Sequence, residues 1–388
     1  MFNKEIKFLN FNLFLPNKNK KPIVQNFLNS LIKENNHILH SMKKNYQDSY
    51  NYKIISKYMK ISEINVIGMG GSALGAKAIY NFLKAFKKKF NFFENISNSL
   101  IKSSKKKSIN LIISKSGETL ETISNSNLLI DRKKKNIFIS ENKKSYLTLL
   151  ANKIKAEVIS HNNFIGGRYS VLSEVGMLPA QLMGLDPSKF RKFNDLVKSN
   201  KFINALVNNV LSILNFHKQK KTNSIILNYD DYSDDLFRWY QQLVAESLGK
   251  KNKGILPIIS KMPCDNHSLM QYYLEGNTNH FFTFFFVKEK KQINKINNKI
   301  ILDEKHYLKN KSLNEISFSQ FRATQNVFKS KKIPFRSFVI SKRTESTLGE
   351  LFSFFMIETI MLGKLLNINP YDQPAVELIK KSTLKILK

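Results

Sequence analysis

Short apolar runs alternate with longer stretches of helical periodicity from about residue 64 onward. Segments 64–67, 109–113, 136–140 and 157–160 predict strands, and 73–86, 120–130 and 171–183 predict helices between and after them. Such alternation predicts α/β architecture with a mostly parallel sheet covered by helices. A break falls at Asp186-Pro187, after which the layout recurs. A long helical segment (190–217) leads to strands at 224–229, 279–287 and 334–341, with helices at 233–248, 267–275, 316–328 and 346–366. No short-period repeat accompanies the recurrence. Residues 26–41 read as an amphipathic helix, and 374–387 as a last helix with Pro374 at a tolerated start. The expected organisation is an N-terminal helical extension (1–44), two α/β/α sandwich domains (45–187 and 188–369) and a C-terminal helical segment (370–388).

The 388 residues are 42% hydrophobic and 24% charged, which excludes global disorder and collagen-like or coiled-coil chains. The apolar run 281–287 is too short to span a bilayer, and 351–366 carries Glu358 and Lys364, so no membrane association is expected. A single cysteine, Cys264, and an N-terminus without the basic, apolar, small-residue order of a signal peptide read as cytoplasmic. The net charge of +34 would suit a nucleic-acid partner. Only seven of the 63 basic residues are arginine, however (Arg132, Arg168, Arg191, Arg238, Arg322, Arg336, Arg343). Lysine runs such as 87–89, 105–107 and 133–135 fall between apolar segments in a chain rich in Asn, Ile and Phe, as compositional drift produces. Solvated loops and helix ends, rather than a polyanion site, are therefore expected.

Glycine is scarce, at 14 residues, yet Gly68, Gly70, Gly71 and Gly75 crowd into one window between a strand and a helix. A glycine loop there lets the backbone approach a ligand, and the helix N–H groups that follow favour an anion. The loop opens like a dinucleotide fingerprint but lacks its final glycine spacing and its acidic ribose partner. The next strand leads into Ser114-Lys115-Ser116-Gly117-Glu118-Thr119, which offers three hydroxyls at another helix start, a pattern suited to a phosphate monoester. Both loops leave the C-terminal ends of parallel strands, where open α/β sheets place ligands. No Gly-x4-Gly-Lys-Ser/Thr motif is present, which argues against an ATP-dependent kinase.

Four more motifs extend the pattern: Gly166-Gly167-Arg168-Tyr169-Ser170, Gln242-x3-Glu246-Ser247-x-Gly249-Lys250, Asp265-Asn266-His267-Ser268 with Gln271, and Gln373-Pro374-Ala375-Val376-Glu377-Leu378-Ile379-Lys380. Together with the Ser114 loop they resemble the glucose-6-phosphate isomerase family, over about residues 64–381. That resemblance implies two sugar-isomerase domains and reversible conversion of glucose 6-phosphate to fructose 6-phosphate, in glycolysis and gluconeogenesis. It implies Glu246 as the base, Arg168 as the enediolate stabiliser, and His267 and Lys380 in ring opening. Gly71, Ser72, Ser114, Lys115, Ser116 and Thr119 would hold sugar and phosphate, with Gln242 and Gln373 near the sugar. The family also implies a homodimer in which the neighbouring subunit delivers His267.

The residue types suit that chemistry on independent grounds. Moving a proton between C2 and C1 calls for a carboxylate, a developing oxyanion for a fixed cation, and ring opening for a group titrating near neutrality. No metal or cofactor is expected, since the isolated histidines and lone cysteine show no ligand spacing. The chain departs from the family at Ala375 and Ile379, where glycines are usual, and at Leu248, where a polar residue is common. Activity on mannose 6-phosphate as well, or a non-catalytic sugar-phosphate sensor on the same scaffold, remains open from sequence, although a sensor has no need of Glu246, Arg168 and His267 together.

Overall fold

Residues 4–11, 14, 20–97, 108–131, 134–288, 294–301, 303 and 305–387 are described by the computed structural model. The lysine run 105–107, Arg132 and Lys133 lie outside the described residues.

Two five-stranded sheets organise the chain. The first contains β2 (Glu63–Ile67), β3 (Lys89–Phe93), β4 (Ser108–Ile113), β5 (Lys135–Ser140) and β6 (Glu157–Ser160), all parallel, in the order β3-β2-β4-β5-β6. β2 and β4 are buried at every position, including the polar Glu63, Asn65, Ser108 and Asn110, so neither alternates between core and solvent. An amide ladder fixes their register: Asn91 donates to Asn65, Asn65 to Asn110 and Asn110 to Asn136, each at 2.9 Å. A slip of one residue would leave these buried amides unpaired. The chain runs from β2 outward to β3 and then crosses back to β4, so the order reverses between β2 and β4 and opens a crevice at their C-terminal ends.

The second sheet has the order β1-β10-β9-β7-β8, from β1 (Ile6–Leu9), β7 (Asn223–Asn228), β8 (Leu256–Lys261), β9 (His280–Val287) and β10 (Phe335–Ile340). Its pairings are parallel except that β1 runs antiparallel to β10. The N-terminal residues are thus not solely helical: 6–9 close the edge of a sheet whose other strands lie more than 200 residues downstream.

Helix Glu345–Leu365 buries nearly its whole surface, which explains why its sequence is apolar on every face. Helix Asp234–Leu248 packs against it and also against Leu74–Phe82 from the first sheet's side, joining the two halves. The single helix expected at 26–41 is two, Lys21–Lys33 and His37–Ser41, because Asn36 turns the chain and caps the second through the amides of Ile38 and Leu39. The expected 190–217 helix is likewise divided into Pro187–Phe190, Phe193–Leu196 and Asn200–Lys218, the last capped by Ser199. Among the described residues, no helix is long and apolar enough to cross a membrane.

Candidate active site

A cavity of about 350 Å³ opens at the crevice between β2 and β4. Its floor is the glycine loop: Gly70 has φ +50° and Gly71 is buried. A Cβ on Gly71 would lie 2.2 Å from the Gly167 carbonyl, so only glycine allows the two loops to meet. A Cβ on Gly70 would lie 2.8 Å from Gln242 Nε2, which brings helix Asp234–Leu248 down onto the same loop.

That helix carries Gln242 and Glu246 one turn apart, hence on one face, and Gln242 Nε2 donates to Glu246 Oε2 at 3.1 Å. Gln242 Oε1 is buried without a hydrogen-bond partner. Arg168, only 2% exposed, faces Glu246 from the turn Gly167–Leu172, with Nη1 3.6 Å from Oε2. Its remaining donors are anchored: Nε to Ser247 Oγ at 2.7 Å, Nη1 to Gln373 Oε1 at 2.8 Å, and Nη2 to the carbonyls of Pro370 and Asp372 at 2.8 and 3.1 Å. A guanidinium has five N–H bonds, so one on Nη1 is left for the space beside Glu246. Tyr169 supports the arrangement by bonding Ser247 Oγ at 2.9 Å and the Pro370 carbonyl at 3.1 Å, and burial raises its own phenol pKa.

The opposite wall is the Ser114–Thr119 loop. Gly117 takes φ +68° over the Ser145 hydroxyl, and the Ser116 hydroxyl accepts from the Glu118 amide at 3.2 Å. Lys115 Nζ donates to the Asn163 carbonyl at 2.8 Å and stands 3.6 Å from Glu141, which also pairs with Lys143. Burial lowers the Lys115 pKa, with Glu141 acting against that shift. Lys380, on the exposed helix Pro374–Ile386, reaches the cavity while bonded to Glu377 at 2.6 Å, which holds the Glu377 carboxyl below its usual range.

The family model for phosphoglucose isomerase matches residues 11–388. The chain belongs to the phosphoglucose isomerase family. A glucose-6-phosphate isomerase of Methanocaldococcus jannaschii is 33% identical over 355 residues, covering 87% of this chain and 86% of that one. One from Mycoplasmopsis pulmonis is 34% identical over 360 residues, covering 84% and 83%. Among solved structures, a glucose-6-phosphate isomerase from Chlamydia trachomatis superposes with TM-score 0.72 at 17% identity, over 95% of this chain and 84% of that one, a likeness of fold.

Of the residues singled out from sequence, Gly71, Ser72, Lys115, Ser116, Thr119, Arg168, Gln242, Glu246, Gln373 and Lys380 all line the cavity of this phosphoglucose isomerase fold. Ser114 does not. Its hydroxyl is buried and bonds Thr119 Oγ1 at 2.9 Å and the Gly117 amide at 3.2 Å, so it shapes the loop from behind. His267 is also absent from the lining and lies exposed after the short turn Cys264–Asn266 that follows β8. Glu141 and Lys143 were not foreseen; they follow β5, and the rule that ligands gather at the C-terminal strand ends would have pointed to them. Ala375 and Ile379, where the resemblance leads glycines to be expected, sit inside helix Pro374–Ile386 and are not among the positive-φ residues. Leu248 is fully buried and faces Gly363, so an apolar residue there serves packing. Among the described residues, no group of three or more His, Cys, Asp or Glu side chains is placed to hold a metal.

Proposed function

We propose that this chain interconverts glucose 6-phosphate and fructose 6-phosphate, with the sugar held between Glu246 and Arg168 and its phosphate on the Ser116–Thr119 loop. The observation that carries this is the 3.6 Å approach of a buried guanidinium to a partly open carboxylate inside a cavity whose far wall is lined with hydroxyls. Glu246 moves the proton between C2 and C1, and Arg168 stabilises the oxygen on which negative charge develops. Gly71, Ser72, Ser116 and Thr119 take the phosphate, with charge from Lys115. The unpaired Gln242 Oε1 accepts from a sugar hydroxyl, and Gln373, already bonded to Arg168, faces the same space.

Ring opening falls to His267 and Lys380. Because His267 lies off the cavity, the reading requires a second copy of the chain to bring it in, as the family resemblance implies. Leu378 and Ile379, 70% and 71% exposed on the terminal helix, give such a dimer apolar surface beside the site. The expected location is the cytoplasm, as the single cysteine suggests.

A coupled assay that supplies fructose 6-phosphate and follows glucose 6-phosphate, without added metal, tests the reaction. Isomerisation supports it, whereas sugar-phosphate binding without turnover would move the assignment to a sensor. Solution mass at working concentration tests the dimer.

A further inference from the structure

Beneath the Gly166-Gly167-Arg168 turn lies a buried charged cluster outside the cavity. His161 and Glu174 are 2% and 1% exposed. His161 Nδ1 meets Glu174 Oε1 at 2.6 Å, and its other nitrogen, Nε2, meets the Ile165 carbonyl at 3.0 Å. The ring thus bridges the Glu174 carboxyl and the Ile165 carbonyl, with both of its nitrogens engaged. Glu174 is saturated in turn: the same oxygen accepts from the Asn162 amide at 3.0 Å, and Oε2 accepts from Tyr46 Oη at 3.1 Å. Burial by itself would raise the Glu174 carboxyl pKa; the His161 and Asn162 bonds outweigh it and hold the carboxyl below its usual range.

The cluster grips both ends of the segment that presents Arg168. Ile165, whose carbonyl His161 holds, directly precedes Gly166. On the far side, Glu174 opens helix Glu174–Leu182, which follows the turn with no intervening loop beyond Ser173. A Cβ on Gly176 would lie 2.0 Å from the Val171 carbonyl, so that helix and turn are pressed together. The remaining charged neighbours close the frame: Arg191 bonds Asp48 at 2.7 Å, the Tyr46 carbonyl at 3.3 Å and the Leu172 carbonyl at 3.2 Å. Burying an ion pair adds little net stability, because desolvation offsets the attraction; what a saturated pair supplies is fixed geometry.

We propose that Glu174 and His161 are positioning residues for catalysis: as a buried pair they fix the Ile165–Arg168 backbone, and through it the place of the guanidinium opposite Glu246. The inference rests on the reading of Arg168 as the enediolate stabiliser. It also gives the segment around Tyr46 and Asp48, which carries no motif, a part in the site.

The test is a double-mutant cycle between Glu174→Gln and Arg168→Ala, read by steady-state kinetics on fructose 6-phosphate. Glu174→Gln keeps the side-chain shape and removes the charge. We expect kcat to fall about tenfold with KM changed by no more than about twofold, and little further loss when the same change is made in the Arg168→Ala background. A general structural defect would instead raise KM, or would multiply the loss in both backgrounds, and either result overturns the proposal. Should Glu174→Gln fail to fold, Tyr46→Phe removes one bond to Glu174 and is put through the same cycle; an unchanged kcat in it also overturns the proposal. Arg168→Ala measured alone separates the two readings, since near-normal kcat there removes the role of Arg168 itself.

Discussion

Arg168 Nη1 stands 3.6 Å from Glu246 Oε2 while donating to Gln373 Oε1 at 2.8 Å, so one guanidinium ties the helix that carries Glu246 to the start of the terminal helix. The separation suits a partner that must change allegiance during the reaction. In the proposed reaction Glu246 takes up the proton, and the negative charge passes to the sugar oxygen beside the same guanidinium. A guanidinium fixed by four other bonds can serve both anions without reorganising, which is where preorganised electrostatics gain their effect.

Glu246→Gln should abolish most turnover while sparing binding. Gln keeps the shape, and its amide oxygen can still accept from Gln242 at the position of the present 3.1 Å bond, but it cannot take a proton. The expected loss in kcat is ~10²–10⁴-fold, the usual range for removing a general base, with fructose 6-phosphate affinity by calorimetry changed little. Near-normal turnover would exclude Glu246 as the base.

For Arg168, both Arg168→Ala and Arg168→Lys should lower kcat by ~10²–10³-fold. The lysine variant keeps the charge but cannot span Ser247, Gln373 and the Pro370 carbonyl together, as the planar fork does. An effect seen only in KM for either variant would make Arg168 a binding residue.

How much of this was legible beforehand depended on whether the signal was local. The strands β2, β4 and β5 announced themselves because each carries a cluster of Ile, Val, Leu or Phe in a nearly fully buried strand. β1 did not, because an edge strand earns its place by pairing with β10, and nothing near residue 6 records that. Pro257 concealed β8, which tolerates a proline because it is itself at an edge. β3 starts inside a lysine run that reads as a loop. At the site, side chains set one turn apart on a helix, such as Gln242 and Glu246, could be paired in advance. The inward turn of Ser114, the bond from Lys115 to the Asn163 carbonyl and the support of Arg168 by Pro370 could not, since each depends on contacts between distant loops.

The glycine loops give a paired test of close approach. Gly71→Ala would put a Cβ 2.2 Å from the Gly167 carbonyl, against backbone that cannot swing away, whereas a Cβ on Gly167 meets nothing nearer than the Gly71 Cα at 4.0 Å. Gly71→Ala should therefore cost about 1–3 kcal/mol of stability, as overpacking does, and Gly167→Ala should leave the melting temperature nearly unchanged. Equal melting temperatures in the two variants would contradict the contact.

The depressed carboxyl of Glu174 carries a stability signature with a definite sign. Its ordinary value of 4.5 applies to the unfolded chain, while in the folded chain His161 and Asn162 overcome the opposing effect of burial and hold it lower. Between those two values the unfolded state binds more protons, so stability rises with pH across the window. The contribution is complete above the unfolded value and is lost as pH falls through the folded one. Glu174→Gln has no such proton to bind. The gap in melting temperature between wild type and Glu174→Gln should hence be widest near about pH 6 and shrink toward about pH 3, carboxylates remote from Glu174 cancelling in the difference. A gap that stays constant across that range would mean that Glu174 is not held as a buried carboxylate by His161.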